Sequence, residues 1–244
     1  AQRLISRQIA QQVLDALRGR DYRNVVNLPF PEGADYRSLS PFMRLAEVLG
    51  SLQMQLVRGR IHRVEIDVRG EHLRSAIRPL GVALLKGLLT PILGDAVTFV
   101  NAPMLAQERG IQIVEAEQRL LGAYAQAIAC RVHSTKETRL IVGALFAGEP
   151  RIVQVDDFPM EALPRGALLV MRSRDVPGVI GRVGTLLGEH GINIAEWRLG
   201  RDRPGGTALS FINLDHPAPP AILEALRRMP EIEDVRQVLL DAGR

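Results

Sequence analysis

The stretch from Leu168 to Leu214, LLVMRSRDVPGVIGRVGTLLGEHGINIAEWRLGRDRPGGTALSFINL, constrains the fold more than any other part of the chain. The apolar run Leu168–Met171 reads as a buried strand that breaks at a polar turn, Ser173-Arg174-Asp175. Pro177 follows where the first residue of a helix belongs. A proline there loses no hydrogen bond, and Asp175 upstream is placed to accept from the first free amides. Val179, Ile180, Val183, Leu186 and Leu187 recur at helical spacing, and Gly191 supplies a left-handed stop. Ile192 to Leu199 then alternates as a strand, Asp202-Arg203-Pro204-Gly205-Gly206 is a turn, and Thr207 to Leu214 is the returning strand. With a helix over Pro219–Met229 and a last strand over Val235–Leu240, the order is β-α-β-β-α-β, the ferredoxin-like split βαβ.

The first of those helices also carries Gly181, Gly184 and Gly188. A glycine inside a helix costs about 1 kcal/mol relative to alanine, so three of them call for a compensating contact. Two readings fit. Either the bare stripe packs tightly on the helix's own sheet, or it admits another element while the helix N-terminus receives an anion such as a carboxylate.

Upstream, Ala1 to Arg18 reads as one helix with Leu4, Ile5, Ile9, Val13, Leu14 and Leu17 on one side, followed by a loop over Asn24–Gly33. A lone helix of that length is marginal in water, so it reads as the tail of a preceding domain. The start at alanine, in mid-pattern and without methionine, reads as the start of a fragment. A second amphipathic helix runs from Leu39 to Val57, opened by Ser40-Pro41, and Ile61 to Val68 alternates as a half-buried strand with a slip at His62-Arg63. His72 to Leu93 is helical with Gly81 and Gly87 inside it, Val97 to Val100 is a short strand, and Pro103 to Arg109 is a helix closed by Gly110. Strands are expected at Ile111–Ala116, Ala125–His133, Arg139–Phe146 and Arg151–Val155, with Leu163-Pro164-Arg165-Gly166 as the seam into the second domain. Helices and strands segregate, so the class is α+β: an α/β sandwich over residues 33–163, then the ferredoxin-like unit over residues 164–244, with residues 1–32 belonging to the preceding domain. A four-stranded sheet of this kind often pairs an edge or a face with a twin, so at least a dimer is expected.

Composition narrows the function. With 46% apolar and 24% charged residues the chain is built to bury a core. Its net charge of +4 is almost all arginine, with lysine only at Lys86 and Lys136, and the arginines are scattered among acids. Basic groups such as Arg58-Gly59-Arg60 and Arg227-Arg228 are short, and aromatics at 4% offer few stacking platforms, so no nucleic-acid partner is expected. Cys130 is the only cysteine, which excludes an intrachain disulfide and a cysteine zinc site. It lies in the apolar run Ala125–Val132 and reads as an inert core thiol. His62, His72, His133, His190 and His216 show no ligand spacing, so no metal is expected. No run of about 18 uninterrupted apolar residues and no signal-peptide pattern occurs, so neither a membrane partner nor export is expected and the cytoplasm is the default.

Convergent catalytic chemistry is missing. There is no Gly-x-Ser-x-Gly, phosphate loop or Gly-x-Gly-x-x-Gly; Gly178-x-x-Gly181-x-x-Gly184 has the wrong first spacing for a dinucleotide fingerprint. The acid pairs Asp156-Asp157 and Glu115/Glu117 read as solvated rather than catalytic.

Several of these stretches carry a family resemblance. Val100 to Ile111, VNAPMLAQERGI, resembles the VNAPxLAxERGI signature of the intervening domain of long-form D-3-phosphoglycerate dehydrogenases, and Leu85-Lys86-Gly87-Leu88-Leu89 resembles that domain's helix motif. Asp175 to Gly181, with Gly191-Ile192-Asn193-Ile194-Ala195 and Leu199-Gly200-Arg201, is similar to an ACT domain, the family's amino-acid-sensing module. Ala1 to Asn27 is similar to the helix and RNVVN exit that end the family's catalytic half. The resemblance implies a regulatory and oligomerisation segment of an enzyme that oxidises 3-phosphoglycerate with NAD, at the entry to serine synthesis. NAD itself and the catalytic residues would belong to a part absent from this sequence, and this chain would need no cofactor.

The resemblance also implies a site. In relatives L-serine binds between two ACT domains, at the turn before the first helix and at the asparagine opening the second strand; the matching positions are Ser173, Asp175 and Asn193. Asp175 would pair the ligand ammonium, the amides around Val176, Pro177, Gly178 and Val179 would take its carboxylate, and Asn193 offers both donor and acceptor. Each has a structural alternative: Asp175 as a plain helix cap, Asn193 as a turn residue bonding its own backbone. Ser173 stands where relatives often carry histidine or tyrosine, and Val176 replaces the arginine of the usual Asp-Arg-Pro-Gly. These departures keep open a purely structural dimerisation module without an effector. For the intervening domain, an effector or substrate-anion site in relatives makes Arg78, Lys86 and Arg131 the candidates for meeting a phosphate, although scattered surface charges are the simpler reading of all three.

Overall fold

The structure, a computed structural model, describes residues 2–17, 36–116 and 124–240. The expected loop over Asn24–Gly33 and the boundary at residue 32 lie outside the described residues. Helix α1 (Gln2–Leu17) forms as the spacing predicts, with Leu4, Ile5, Ile9, Val13 and Leu14 exposed.

The first domain is a six-stranded sheet under two long helices. Its strands are β1 (Ile61–Arg69), β2 (Gln112–Glu115), β3 (Ala127–Ser134), β4 (Thr138–Phe146), β5 (Glu149–Val155) and β6 (Phe158–Ala162), in the order β2-β1-β3-β4-β5-β6. Only β1–β2 is parallel, because α3 (Glu71–Ser75), α4 (Ile77–Leu93) and α5 (Ala102–Glu108) lie between those two strands in sequence. The slip expected at His62-Arg63 is a register shift between Ile61 and Arg63 in the β1–β3 ladder. Helix α2 (Tyr36–Leu56) and α4 cover one face of the sheet, and Leu45, Leu49, Leu52, Leu84 and Leu88 are buried with Val64, Ile66 and Val132. Buried Gln53 ties α2 to the sheet by donating to the Cys130 and Arg139 carbonyls at 2.9 and 3.1 Å. The span Ile77–Ala96 is apolar enough to cross a membrane by length and composition, yet it supplies much of this core and half of it is buried.

The two long helices touch backbone to backbone. A Cβ on Gly87 would stand 1.9 Å from the Glu47 carbonyl oxygen, and one on Gly50 2.1 Å from that of Leu84. Only glycine allows that approach.

Four expectations need correction here. The helix expected from His72 to Leu93 is two helices with a break at Ala76, because Pro79 cannot donate to, and collides with, the carbonyl four residues back; the chain restarts so that Pro79 falls in the first turn of α4. Helix α2 begins one turn before Ser40, so Pro41 lies inside it; Leu39, 1% exposed, anchors that extra turn in the core. Val97–Val100 is not a strand. The Thr98 amide donates to Asn101 Oδ1 at 2.7 Å and the Asn101 amide to Thr98 Oγ1 at 3.2 Å, so side chains claim the backbone groups a strand would need. Strand β6 was not expected. A tight turn at Asp156, with φ +49°, folds β6 back on β5, and Pro159 is tolerated because β6 is an edge.

The second domain has the expected β-α-β-β-α-β order: β7 (Ala167–Arg174), α6 (Val179–Glu189), β8 (Ile194–Arg201), β9 (Thr207–Leu214), α7 (Pro220–Arg227) and β10 (Ile232–Leu239). The sheet order β10-β7-β9-β8 is ferredoxin-like. Ala167, Leu169, Met171, Ile212, Leu214 and Val235 meet Val179, Val183, Leu187, Ile222 and Leu226 of the helices. The opposite face, Leu168, Val170, Leu209, Phe211 and Val238, joins the core of the first domain. That face is therefore covered by the same chain and is not open to a twin. Asn213 donates to the Leu163 and Arg165 carbonyls at 3.0 Å, Gln55 bonds both backbone groups of Leu239, and Arg58 pairs with Asp234 at 2.9 Å. The expected seam is a packed joint.

Candidate functional site

The first turn of α6 differs from its expected form. β7 continues through Ser173 and Arg174, because as an inner strand it is paired on one side to β10 and on the other to β9. Ser173 shares the helix-facing side with Leu169 and Met171 and is 2% exposed, so its hydroxyl is buried rather than presented in a turn. Pro177 is not the first helical residue: Gly178, at φ +91°, is the N-cap and Val179 starts the helix. That left-handed step drops Val179 into the core and leaves Val176, Pro177 and Gly178 exposed. Among the described residues no side chain caps the start of α6.

Asp175 is not the helix cap either. Its carboxylate accepts from the Gly205 amide at 3.1 Å and faces Arg201 at 3.4 Å, while its own amide donates to the Gly206 carbonyl. It fastens the start of α6 to the β8–β9 turn. Asp202 closes that turn by accepting from the amides of Arg203 and Thr207, which hold its carboxyl below the usual carboxylate range, the Thr207 bond contributing most. Arg201 and Gly205 are the site residues that sequence reasoning missed. The Leu199-Gly200-Arg201 motif carried the only signal, and nothing local pairs it with Asp175.

Asn193 stands just before β8. Its carbonyl accepts from the Asp215 amide at 3.2 Å and its side chain donates to Asp215 Oδ2 at 2.8 Å, so it bonds the exit of β9 rather than its own backbone. Arg174 pairs with Thr207 at one end of β9, and Ile194 pairs with Leu214 at the other. Asp175 and Asn193 of one chain are therefore roughly 20 Å apart by strand rise, too far for one small ligand to touch both.

Between those two points α6 presents an open face. Added Cβ atoms on Gly181, Gly184 and Gly188 would meet nothing within 4 Å, and Ile180 beside them is 55% exposed. Of the two readings of the glycine stripe, packing on the helix's own sheet is excluded.

The three candidate cations for an anion site do not converge. Lys86 pairs with Glu47 and lies over the Phe99 ring at 4.9 Å, between α2 and α4. Arg131, flanked by the core residues Cys130 and Val132, points to the other face of the sheet, where Glu65 meets Arg63, Arg131 and His133. Arg78 is at the start of α4, 3.9 Å from Glu115. Cys130 is fully buried, and burial pushes its thiol up to about 12. Among the described residues no group of three or more His, Cys, Asp or Glu side chains is placed to hold a metal.

Comparisons with known proteins agree with this architecture. The family profile described as D-3-phosphoglycerate dehydrogenase intervening domain matches residues 38–156, and the ACT domain profile matches residues 167–231. D-3-phosphoglycerate dehydrogenase of Methanocaldococcus jannaschii is 38% identical over 98% of this chain and 46% of its own length. The Synechocystis protein of that name is 36% identical over 95% of the chain and 42% of its own length; for Bacillus subtilis the figures are 30%, 98% and 46%. The chain thus spans about half the length of the curated relatives it matches. An intervening domain joined to an ACT domain, aligned along almost its full length with these enzymes, places the chain in the D-3-phosphoglycerate dehydrogenase family.

Proposed function

We propose that this chain is the regulatory and oligomerisation segment of a D-3-phosphoglycerate dehydrogenase, sensing L-serine between the ACT domains of two copies. Oxidation of 3-phosphoglycerate and the binding of NAD belong in this reading to the catalytic part of such an enzyme, and the segment holds no cofactor of its own. It works in the cytoplasm, with neither nucleic acid nor membrane as partner.

One observation carries the reading: the exposed turn Val176–Gly178 and Asn193 lie at opposite ends of α6, whose glycine face is open. A two-fold axis that sets two such domains antiparallel brings the turn of one copy to the asparagine of the other. The uncapped amides of α6 then meet the ligand carboxylate, Asp175 its ammonium, and Asn193 of the partner subunit its remaining polar group. Ser173, being buried, takes no part in that contact.

Calorimetry with L-serine tests this. Binding is expected with one site per half-interface, and Asp175→Ala or Asn193→Ala removes it; heats unchanged in both variants would refute the site. A second reading is favoured by the existing bonds of Asp175 to Arg201 and Gly205 and of Asn193 to Asp215. Under it the domain is a dimerisation module without an effector, and sedimentation shows a dimer that no amino acid alters.

A further inference from the structure

The first domain contains an apolar concavity that none of the residues proposed to hold serine lines. A cavity of about 260 Å³ opens between the N-terminal half of α4, Pro103 of α5 and the sheet margin β1–β2. Its walls are Ile66, Ile77, Val82, Leu85 and Ile113, and Gly81 forms part of the floor. Gly81 is unlike Gly87 and Gly50. A Cβ there would meet only side chains of the same cavity, Ile113 Cδ1 at 3.1 Å and Ile66 Cγ2 at 4.0 Å, and no backbone. The glycine serves the space, not a helix crossing. An apolar cavity of roughly 150 Å³ is already sufficient for a benzene-sized body, so this one takes a branched hydrocarbon side chain.

The lining has two charged groups. Arg78 and Glu115 face each other at 3.9 Å, longer than a hydrogen bond, with side chains 83% and 55% exposed. A cation and an anion beside an otherwise apolar cavity complement a zwitterion with a hydrocarbon tail. We propose that this concavity binds a free amino acid with a branched aliphatic side chain, its carboxylate on Arg78, its ammonium on Glu115 and its tail over Gly81. The inference is independent of serine sensing, since it concerns the other domain.

The test is calorimetry on the 244-residue chain with L-leucine, 4-methylpentanoate (the same skeleton without the amine) and L-serine. L-leucine binds; 4-methylpentanoate binds about tenfold more weakly for want of the Glu115 contact, and L-serine gives no heat at this cavity. Arg78→Gln weakens both aliphatic ligands about tenfold or more, whereas Glu115→Gln weakens leucine and leaves 4-methylpentanoate unchanged. Ile113→Phe fills the cavity and abolishes leucine binding. Ile113 is 38% exposed on an edge strand and phenylalanine suits a strand, so this variant folds. Asp175→Ala and Asn193→Ala leave leucine binding intact, which separates this outcome from failure of the ACT reading. The proposal is overturned if folded wild-type chain gives no heat with leucine, or if Ile113→Phe binds leucine as before. It is equally overturned if leucine has no effect while Ile113→Phe dissociates an oligomer, for the concavity is then a contact between copies.

Discussion

Helices α4 and α6 both carry glycines at interior positions, and the two sets do opposite things. On α4, Gly87 lies so close to α2 that a Cβ would overlap the Glu47 carbonyl, and Gly50 on α2 answers it from the other side. On α6, Gly181, Gly184 and Gly188 face open space. The helix-propensity cost is the same in both, about 1 kcal/mol per residue. At Gly87 a close backbone crossing inside the chain offsets it. In α6 no neighbour among the described residues does, and the proposed pairing of two copies would supply the missing contact. The same residue type thus marks a closed joint in one domain and an open face in the other.

Substituting the closed joint has the largest expected effect. Gly87→Ala places a methyl 1.9 Å from the Glu47 oxygen and forces α2 and α4 apart, with an expected loss of about 3 kcal/mol or more, read as a lower urea midpoint. Cys130 reports the same event: its buried thiol, pushed up to about 12, is inert to alkylation in the native chain and labels readily once Gly87→Ala loosens the layer above it. An unchanged midpoint together with an unlabelled thiol would show that the two helices have room to spare at their crossing.

The open face answers with the opposite sign. Gly184→Ala raises the stability of the isolated subunit by up to about 1 kcal/mol through helix propensity, because its Cβ meets no neighbour. The same variant weakens self-association, seen as a sedimentation shift toward monomer. Stabilisation with unaltered association would mean that this face is not where copies meet, and the contrast between the two helices would fail.

The joint between the domains gives the smallest expected effect. Burial raises the Asp156 carboxyl above its ordinary 3.8, opposed by the Leu140 amide and by Arg139 and Arg172. A carboxyl whose folded value is raised favours the folded state most below the unfolded value, and that contribution is lost as pH rises through the folded one. Asp156→Asn keeps the bond from the Leu140 amide, suits the left-handed backbone at φ +49°, and flattens stability against pH from about 4 upward. A pH profile identical to wild type would mean that Asp156 keeps its ordinary value.

How far the chain can be read without its structure is clearest at single residues. Thr207–Leu214 was legible to the residue, because alternation and a Gly-Gly turn are local signals, and so was the slip at His62-Arg63. The break at Ala76 was also written in the chain, in Pro79, and was missed because the apolar period runs on through it. Other features were out of reach. Strand β6, containing a proline, is a strand only because β5 lies beside it. Ser173 reads as turn by composition and is strand because partners flank it on both sides. Asp175 reads as a ligand contact with a helix cap as the alternative, and its partners Arg201 and Gly205 come from a hairpin 26 and 30 residues away.

The sequence alone determined the α+β class, the β-α-β-β-α-β order of the second domain and the family to which both domains belong, since periodicity, turns and short motifs are properties of neighbouring residues. Only the tertiary structure decided which glycines are covered, which face of the second sheet is closed by the first domain, and that Asp175 bonds the β8–β9 turn while Asn193 bonds the exit of β9. Those outcomes depend on surfaces meeting across long stretches of chain, where each contact is set by the packing of everything around it and not by the residues next to it in order.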